Sequence, residues 1–344
     1  MKKFTSLFLS AALCMAMAAC GADTSAGTPA ATSNPESNNT AAAQPQAAAS
    51  DKTYTVGIVQ LVQHVALDAS AQGFQDELKS QLGDAVKFDY QNASGDSATC
   101  SSIVSGFVTE KADLILAIAT PALQAAANGT AAIPVLGTAI TEYGTALSID
   151  NFSGTVGTNV SGTSDLAPLD QQAAMFDELL PEAKKIGILY CTAEANSKYQ
   201  ADVVKAALEK NGKTVTVYTF TDSNDVQAVT KTAVSENDAL YIPTDNTCAS
   251  NTGIIDPVAS EAKCPIICGE EGIMAGCGIA TLSIDYYELG KTTGAMAAKI
   301  LKGESNVSEM PIEYYQNPVK KYDEERCKAL GINVPSDYTA APRA

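Results

Sequence analysis

Residues 241–247, YIPTDNT, begin as a buried strand and stop abruptly in hydroxyl, acid and amide side chains. The same break recurs. Thr120 and Pro121 follow DLILAIA, Thr138 ends PVLG, Asn196 and Ser197 follow KIGILYCTAE, and Gln60 and His64 close YTVGIVQLVQH. Glu270 and Asp285 stand just beyond PIIC and ATLSI. In an open α/β sheet the carboxyl ends of parallel strands form the rim of the ligand crevice. The loops at these ends carry acids, hydroxyls and amides but no lysine or arginine. Such a rim suits a molecule bearing both charges. A carboxylate, first Asp245 and after it Asp285 and Glu270, would meet an ammonium group. Backbone N–H groups that open helices at Thr120 and at Asn196–Ser197 would bind a carboxylate without a basic side chain. With Thr244 and Asn246 these residues form the candidate site, yet each also suits plain helix capping, and the sequence leaves both readings open.

Catalysis finds little support. His64 is the only histidine, GTSDL is not G-x-S-x-G, and no serine or cysteine is paired with His64 by spacing. ELGKTTG resembles the end of a phosphate loop, but Asp285 stands where its first glycine belongs. Of the nine cysteines, Cys14 lies in the N-terminal apolar segment and Cys20 closes it, leaving an odd set of seven that cannot fully pair. Cys264, Cys268 and Cys277 lack C-x2-C spacing and a nearby histidine, so no metal site and no cofactor is expected.

The elements that must hold these loops follow from the periodicity. From Tyr54 short apolar strands alternate with helices through TVGTNVSG, and after Pro168 the series repeats through ATLSI. Alternation of this kind implies right-handed βαβ units and a parallel sheet. The expected fold is therefore α/β, with two doubly wound, Rossmann-like lobes joined by a multi-strand hinge. Residues 53–164 plus about 285–308 are assigned to the first lobe, and 165–284 plus about 309–335 to the second. If the halves are related by a pseudo-two-fold, Thr120 and Thr244 face each other across one crevice.

With 344 residues, 46% hydrophobic and 18% charged, the chain is globular and long enough for two cores. A net charge of −17 argues against nucleic acid as a partner. The N-terminus, MKKFTSLFLSAALCMAMAAC, has two lysines, an apolar stretch too short to span a bilayer and small residues before Cys20. It reads as an export signal over 1–19, with a lipobox-like end that makes Cys20 the lipidated residue; an ordinary cleaved secretory signal is the alternative. Residues 20–52 are then a disordered tether, rich in Ala, Ser, Thr, Asn, Gln and Pro, that reaches on the order of 30 Å.

Several segments together carry a resemblance. IVQLVQHVALDASAQGF, FDYQNASGDSAT, DLILAIATPALQAAAN, TGTSDL within NVSGTSDLAP, KKIGILY with EANS, YIPTDNT and IDYYELGKTTGAMAAKIL resemble the ABC-transporter substrate-binding proteins that include tryptophan- and tyrosine-binding members. The resemblance covers about residues 53 to 335. It implies a type I periplasmic-binding fold and a lipid-anchored receptor on the outer face of a bacterial cytoplasmic membrane, working with a permease and its ATPase. It also supports Thr120, Asn196, Ser197, Thr244 and Asp245 as ligand contacts. Val65 stands where the family usually has proline, and CGEEG replaces a loop that more often carries a Gly-Asp pair.

The expectation is thus a monomeric receptor, not an enzyme, that captures a zwitterionic amino acid, apolar or aromatic. A sugar or nucleoside receptor is the nearest rival, and tyrosines 143, 190, 286 and 287 keep it open in a chain without tryptophan. A surface-anchored hydrolase using His64 is the rival of another class. A sensing module that feeds a membrane kinase is a third.

Overall fold

A computed structural model describes residues 52–341. The export signal 1–19, Cys20 and residues 20–51 of the tether lie outside the described residues.

The described residues form thirteen strands: β1 (Tyr54–Gln60), β2 (Val86–Asn92), β3 (Leu114–Ile118), β4 (Val135–Ile140), β5 (Val160–Ser164), β6 (Lys185–Cys191), β7 (Thr214–Phe220), β8 (Ala239–Ile242), β9 (Ile266–Cys268), β10 (Ala280–Ser283), β11 (Glu313–Tyr314), β12 (Val319–Tyr322) and β13 (Thr339–Ala340). They form a six-stranded sheet, β11-β5-β4-β3-β1-β2, and a seven-stranded sheet, β13-β12-β10-β9-β8-β6-β7. Every pairing is parallel except that of β10 with β12. The inner order β2-β1-β3-β4-β5 is repeated as β7-β6-β8-β9-β10, so the two halves share one doubly wound topology.

The residues explain that order. Strands β3, β4, β5 and β8 are buried along their whole length, as continuous apolar or small-residue runs covered on both faces must be. The edge strands β2 and β7 each bury only one of their seven residues fully. Because the strand order reverses between β1 and β3, right-handed crossovers put the helices after β1 and β2 on opposite faces. Helices Val65–Leu82 and Tyr286–Leu301 pack together so closely that a Cβ on Gly73 would fall 2.1 Å from the Tyr287 carbonyl oxygen, and one on Gly290 2.1 Å from that of Ser70. Only glycine permits this approach, which fixes His64 and Tyr286 at neighbouring helix starts.

The chain passes between the sheets three times: after β5, after β10, and between β11 and β12. The last passage comes later than the expected residue 309, because Glu313 and Tyr314 still pair with Thr163 and Ser164 of β5. Beyond residue 335, β13 continues the second sheet beside β12. Helix Glu271–Cys277, where the sequence suggested only a loop, is a further difference, and its start is capped by Glu270. All seven cysteines of the described residues are buried and free.

Candidate ligand-binding cleft

The carboxyl ends of the first sheet stand side by side. Gln60 is in register with Ile118, Ile118 with Thr138, and Ile140 with Ser164, so Gln60, Thr120, Thr141 and Asp165 follow one another along a single rim. The second sheet brings its own strand ends to the same place. His64 Nε2 is 3.1 Å from Asn246 Oδ1, and Gln200 Nε2 is 3.4 Å from Thr141 Oγ1. The two rims therefore close on each other, and Gln60, Thr120, Asp165, Asn196 and Ser197 are all buried.

The backbone is strained along the first rim. Ala119 and Ala139, at the ends of β3 and β4, have φ of 79° and 54°, in the left-handed region that costs a non-glycine residue about 1 to 3 kcal/mol. Ala139 sits in a register shift between β4 and β5. Helix Thr120–Gly129, which Ala119 turns into, has no side-chain cap, and neither has helix Ala195–Lys210 on the opposite rim. Their first N–H groups are not taken up by a side-chain cap, which leaves donors at Thr120 and at Asn196–Ser197.

For the acids, of the two readings the sequence left open, the hydrogen bonds are those of helix caps. Asp245 Oδ2 accepts from the Cys191 amide at 2.8 Å and Oδ1 from the Cys248 amide at 2.7 Å, so both oxygens are taken up in capping helix Asn246–Ser250 and tying it to β6. Glu270 accepts from Gly272 and Ile273 at the start of its helix. Asp285 is exposed and accepts from Glu288 as the cap of helix Tyr286–Leu301. Each of the three caps a helix, and the ammonium role assigned to Asp245 does not fit its bonding. Thr138 is likewise turned inward, its hydroxyl 3.2 Å from that of Thr163, which is 2.8 Å from that of Thr293.

The carboxylate with unused capacity is Asp165, which the sequence placed only in the connection between lobes. It is 4% exposed; Tyr286 donates its hydroxyl to Oδ2 at 3.0 Å, the Thr141 hydroxyl lies close enough to favour the ionised carboxylate, and Oδ1 is buried without a well-formed hydrogen bond. Burial pushes its carboxyl up to about 6, against the lowering effect of the Tyr286 and Thr141 hydroxyls and with a small upward push from Glu270. Other unpartnered buried atoms lie around the same crevice: Gln60 Oε1, His64 Nδ1 and Asn196 Oδ1. Buried polar atoms are nearly always satisfied, so a concentration of orphans in one place marks where another molecule's atoms belong.

The rest of the second rim is a satisfied scaffold. Glu194, missed as an individual residue by the sequence, accepts from the Asn246 and Thr247 amides, the Asn246 side chain and the Thr247 hydroxyl. Asn196 Nδ2 donates to the Thr244 carbonyl at 2.8 Å, and the Thr244 amide donates to Gln200 Oε1 at 3.1 Å. Asn196 Nδ2 is also 3.3 Å from Ser197 Oγ. Pro121 is buried at the second position of its helix, which lacks one N–H there at no cost. Two cavities are lined from both lobes: one of about 250 Å³ by Val62, Pro121, Glu194 and Asn246 among others, and one of about 260 Å³ by Val65, Glu270, Asp285 and Tyr286 among others; Asp165 and Gln60 line neither. Among the described residues no cluster of His, Cys, Asp and Glu could hold a metal ion, and no helix is long and apolar enough to cross a membrane.

Residues 55–342 match the family described as ABC transporter substrate binding protein. The chain is 38% identical over 300 residues to a tyrosine-binding protein of Clostridioides difficile strain R20291, an alignment covering 86% of each. A Streptococcus pneumoniae ABC domain in complex with L-Trp superposes with a TM-score of 0.79 at 32% identity, covering 83% of this chain and 97% of that one. The ligand-free, open structure of a substrate-binding protein with adhesive properties from Clostridium difficile gives 0.65 at 40% identity, covering 85% and 100%.

Proposed function

This chain belongs to the family of ABC transporter substrate-binding proteins, and on that footing we propose that it captures a zwitterionic amino acid, aromatic or apolar, between its lobes and delivers it to a permease. It has the type I periplasmic-binding fold, and it is a binding protein rather than an enzyme. His64 accordingly has a structural partner in Asn246 and no role as a base.

The observation that carries the ligand reading is Oδ1 of Asp165. A buried carboxylate oxygen without a well-formed hydrogen bond calls for a cation, and an α-ammonium brings both the charge and the donors. Asn196 Oδ1, on the opposite rim, supplies a second acceptor. The uncapped helix starts at Thr120 and at Ala195–Asn196 then receive the ligand carboxylate. A sugar or nucleoside would fill hydrogen bonds here without balancing the charge. The tyrosine-binding and L-Trp-complexed relatives favour the same ligand class.

The finer placement is part of the proposal. The protein acts outside the cytoplasm as a monomer, held by a lipid on Cys20. Intact mass of membrane-extracted protein should show an acylated cysteine at the N-terminus, and a mature protein starting elsewhere would overturn this. A thermal-shift screen of the twenty amino acids, nucleosides and sugars tests the ligand class, since a ligand at a hundred times its Kd stabilises by about 2.7 kcal/mol. Stabilisation by sugars alone would reject it.

A further inference from the structure

We propose that Glu194 is a positioning residue for closure: it holds the Asn246 side chain so that its amide oxygen, and not its nitrogen, meets His64 across the cleft. The proposal rests on the reading that the lobes close on a ligand, and not on which ligand that is. Glu194 and Asn246 are buried on the second lobe; His64 precedes helix Val65–Leu82 on the first. Glu194 stands immediately before helix Ala195–Lys210, where a side-chain oxygen can cap the helix that follows. It makes no such cap. Its carboxylate is turned instead to helix Asn246–Ser250, which Asp245 already caps.

The hydrogen bonds there fix one orientation of the amide. Glu194 Oε1 accepts from the Thr247 amide at 2.9 Å and from the Thr247 hydroxyl at 2.8 Å. Oε2 accepts from the Asn246 backbone amide at 3.0 Å and from Asn246 Nδ2 at 2.5 Å. A carboxylate only accepts, so a flipped Asn246 would set its own oxygen against Oε2. Oδ1 is thereby turned to the first lobe, where His64 Nε2 stands 3.1 Å away. An amide oxygen also only accepts, so the imidazole proton sits on Nε2 and the neutral ring carries its lone pair on Nδ1. No bond on the other side of the ring sets the tautomer, since Nδ1 is buried with no partner.

The bonds of Glu194 stay within one lobe, whereas the bond between His64 and Asn246 joins the two. Only an interaction that differs between open and closed forms shifts their populations, so Glu194 acts on closure through Asn246. Held in place beforehand, the amide does not have to be ordered as the lobes meet. Released, it would also present Nδ2 to His64, and two N–H groups facing each other repel or drive the ring proton to Nδ1. An acid suits this task better than a glutamine, because both its oxygens accept and charge-assisted hydrogen bonds are about twice as strong as neutral ones. Glu194 and Asn246 line the cavity of about 250 Å³ between the lobes, so water there competes for the Asn246 amide and the strong bond keeps it aimed.

Calorimetric titration of the intact, untagged protein with L-tyrosine, run as a double-mutant cycle with His64→Ala, decides it. Glu194→Gln sets an amide where two accepting oxygens stood, and affinity should fall about two- to tenfold. In the His64→Ala background the same substitution should change affinity by less than about twofold, because the group at which Asn246 was aimed is gone. A residue that only braces the fold would weaken both backgrounds alike, so equal losses would overturn the proposal, as would an unchanged affinity in the first. His64 is the only histidine, so its ring nitrogens give one pair of NMR signals. With L-tyrosine bound at about pH 8 the proton should sit on Nε2, and a proton on Nδ1 would overturn the proposal. Failure of L-tyrosine to bind would count against the ligand reading, and the Asn246 side-chain amide of the ligand-free protein then decides this one. Bonded to Glu194, its protons should be protected from exchange with water; unprotected protons would overturn the proposal, whether or not Glu194→Gln folds.

Discussion

Tyr286 and Asp165, 121 residues apart in the chain, meet through a 3.0 Å hydrogen bond that occupies one carboxylate oxygen and leaves the other buried without a well-formed hydrogen bond. Tyr286 opens the helix Tyr286–Leu301, and Asp165 follows β5, so each sits where the chain passes between sheets. A ligand bonded to that second oxygen is thereby anchored at the hinge, and its hold on the opposite rim draws the lobes together. Only a difference in affinity between open and closed forms can shift their populations.

The raised carboxyl of Asp165 gives binding a pH signature. Burial lifts it to about 6, and only the ionised form pairs with an ammonium. The affinity should be flat above about pH 7 and weaken by up to about tenfold per unit below pH 6, as protons compete for the site. In the ligand-free protein the sign is opposite. The folded value lies above the usual carboxylate value of 3.8, so this group's contribution to stability increases as pH falls from about 6 toward that range. Titrations from pH 5 to 8 check the first statement and chemical denaturation over pH 4 to 7 the second.

Tyr286→Phe removes the hydroxyl whose hydrogen bond lowers the Asp165 carboxyl. The inflection in the pH profile of binding should move upward, with affinity at pH 7 falling several-fold. An unmoved inflection would mean that the tyrosine only packs.

Asp245 separates capping from binding. Asp245→Asn keeps an acceptor for the Cys248 amide, and ligand affinity should stay within about threefold. Asp245→Ala loses the cap and the tie to Cys191, and should destabilise the protein by about 1 to 3 kcal/mol in urea denaturation. Burial and the nearby Glu194 raise the Asp245 carboxyl, against the lowering effect of the Cys191 and Cys248 amides.

Much of the fold was legible in the sequence because buried parallel strands are short apolar runs with polar ends, and each such run from YTVGIVQ to ATLSI contains a strand. The C-terminal β12 and helix Glu324–Leu330 were not, since VKKY is a polar strand paired antiparallel to β10. The site was legible as a set of loops, less so as roles. Asp245, Glu270 and Asp285 precede helices, and a cap and a ligand-binding acid look alike until the bonds of both oxygens are known. Asp165 stands in the polar stretch GTSDLAP at the boundary between the two lobes, where an acid has no neighbouring helix start or motif to mark it. A signal was there: it is the acid that directly follows β5, where the chain leaves the first sheet.

His64 and Asn246 should govern closure. His64→Ala deletes the 3.1 Å bond between lobes, and a net hydrogen bond of about 0.5 to 1.5 kcal/mol converts to a loss of affinity of roughly two- to tenfold. Small-angle scattering should show a larger radius of gyration for the variant without ligand and the same radius as the unaltered protein at saturation. A variant that stays extended at saturating ligand would mean that closure depends on His64 itself rather than on the ligand.

The central claim is that Asp165 holds the ligand's ammonium, and the most direct measurement compares a bound amino acid with its des-amino analogue on two proteins. L-tyrosine and 3-(4-hydroxyphenyl)propionate differ by that group alone. Calorimetry on the unaltered protein should show the amino acid binding at least about tenfold more tightly, from a charge-assisted hydrogen bond worth about 1.5 to 3 kcal/mol. In Asp165→Asn the advantage should vanish, with the amino acid weakened and the analogue unchanged or improved. An advantage that persists undiminished in Asp165→Asn, or an analogue that binds the unaltered protein as tightly as tyrosine, would contradict the account.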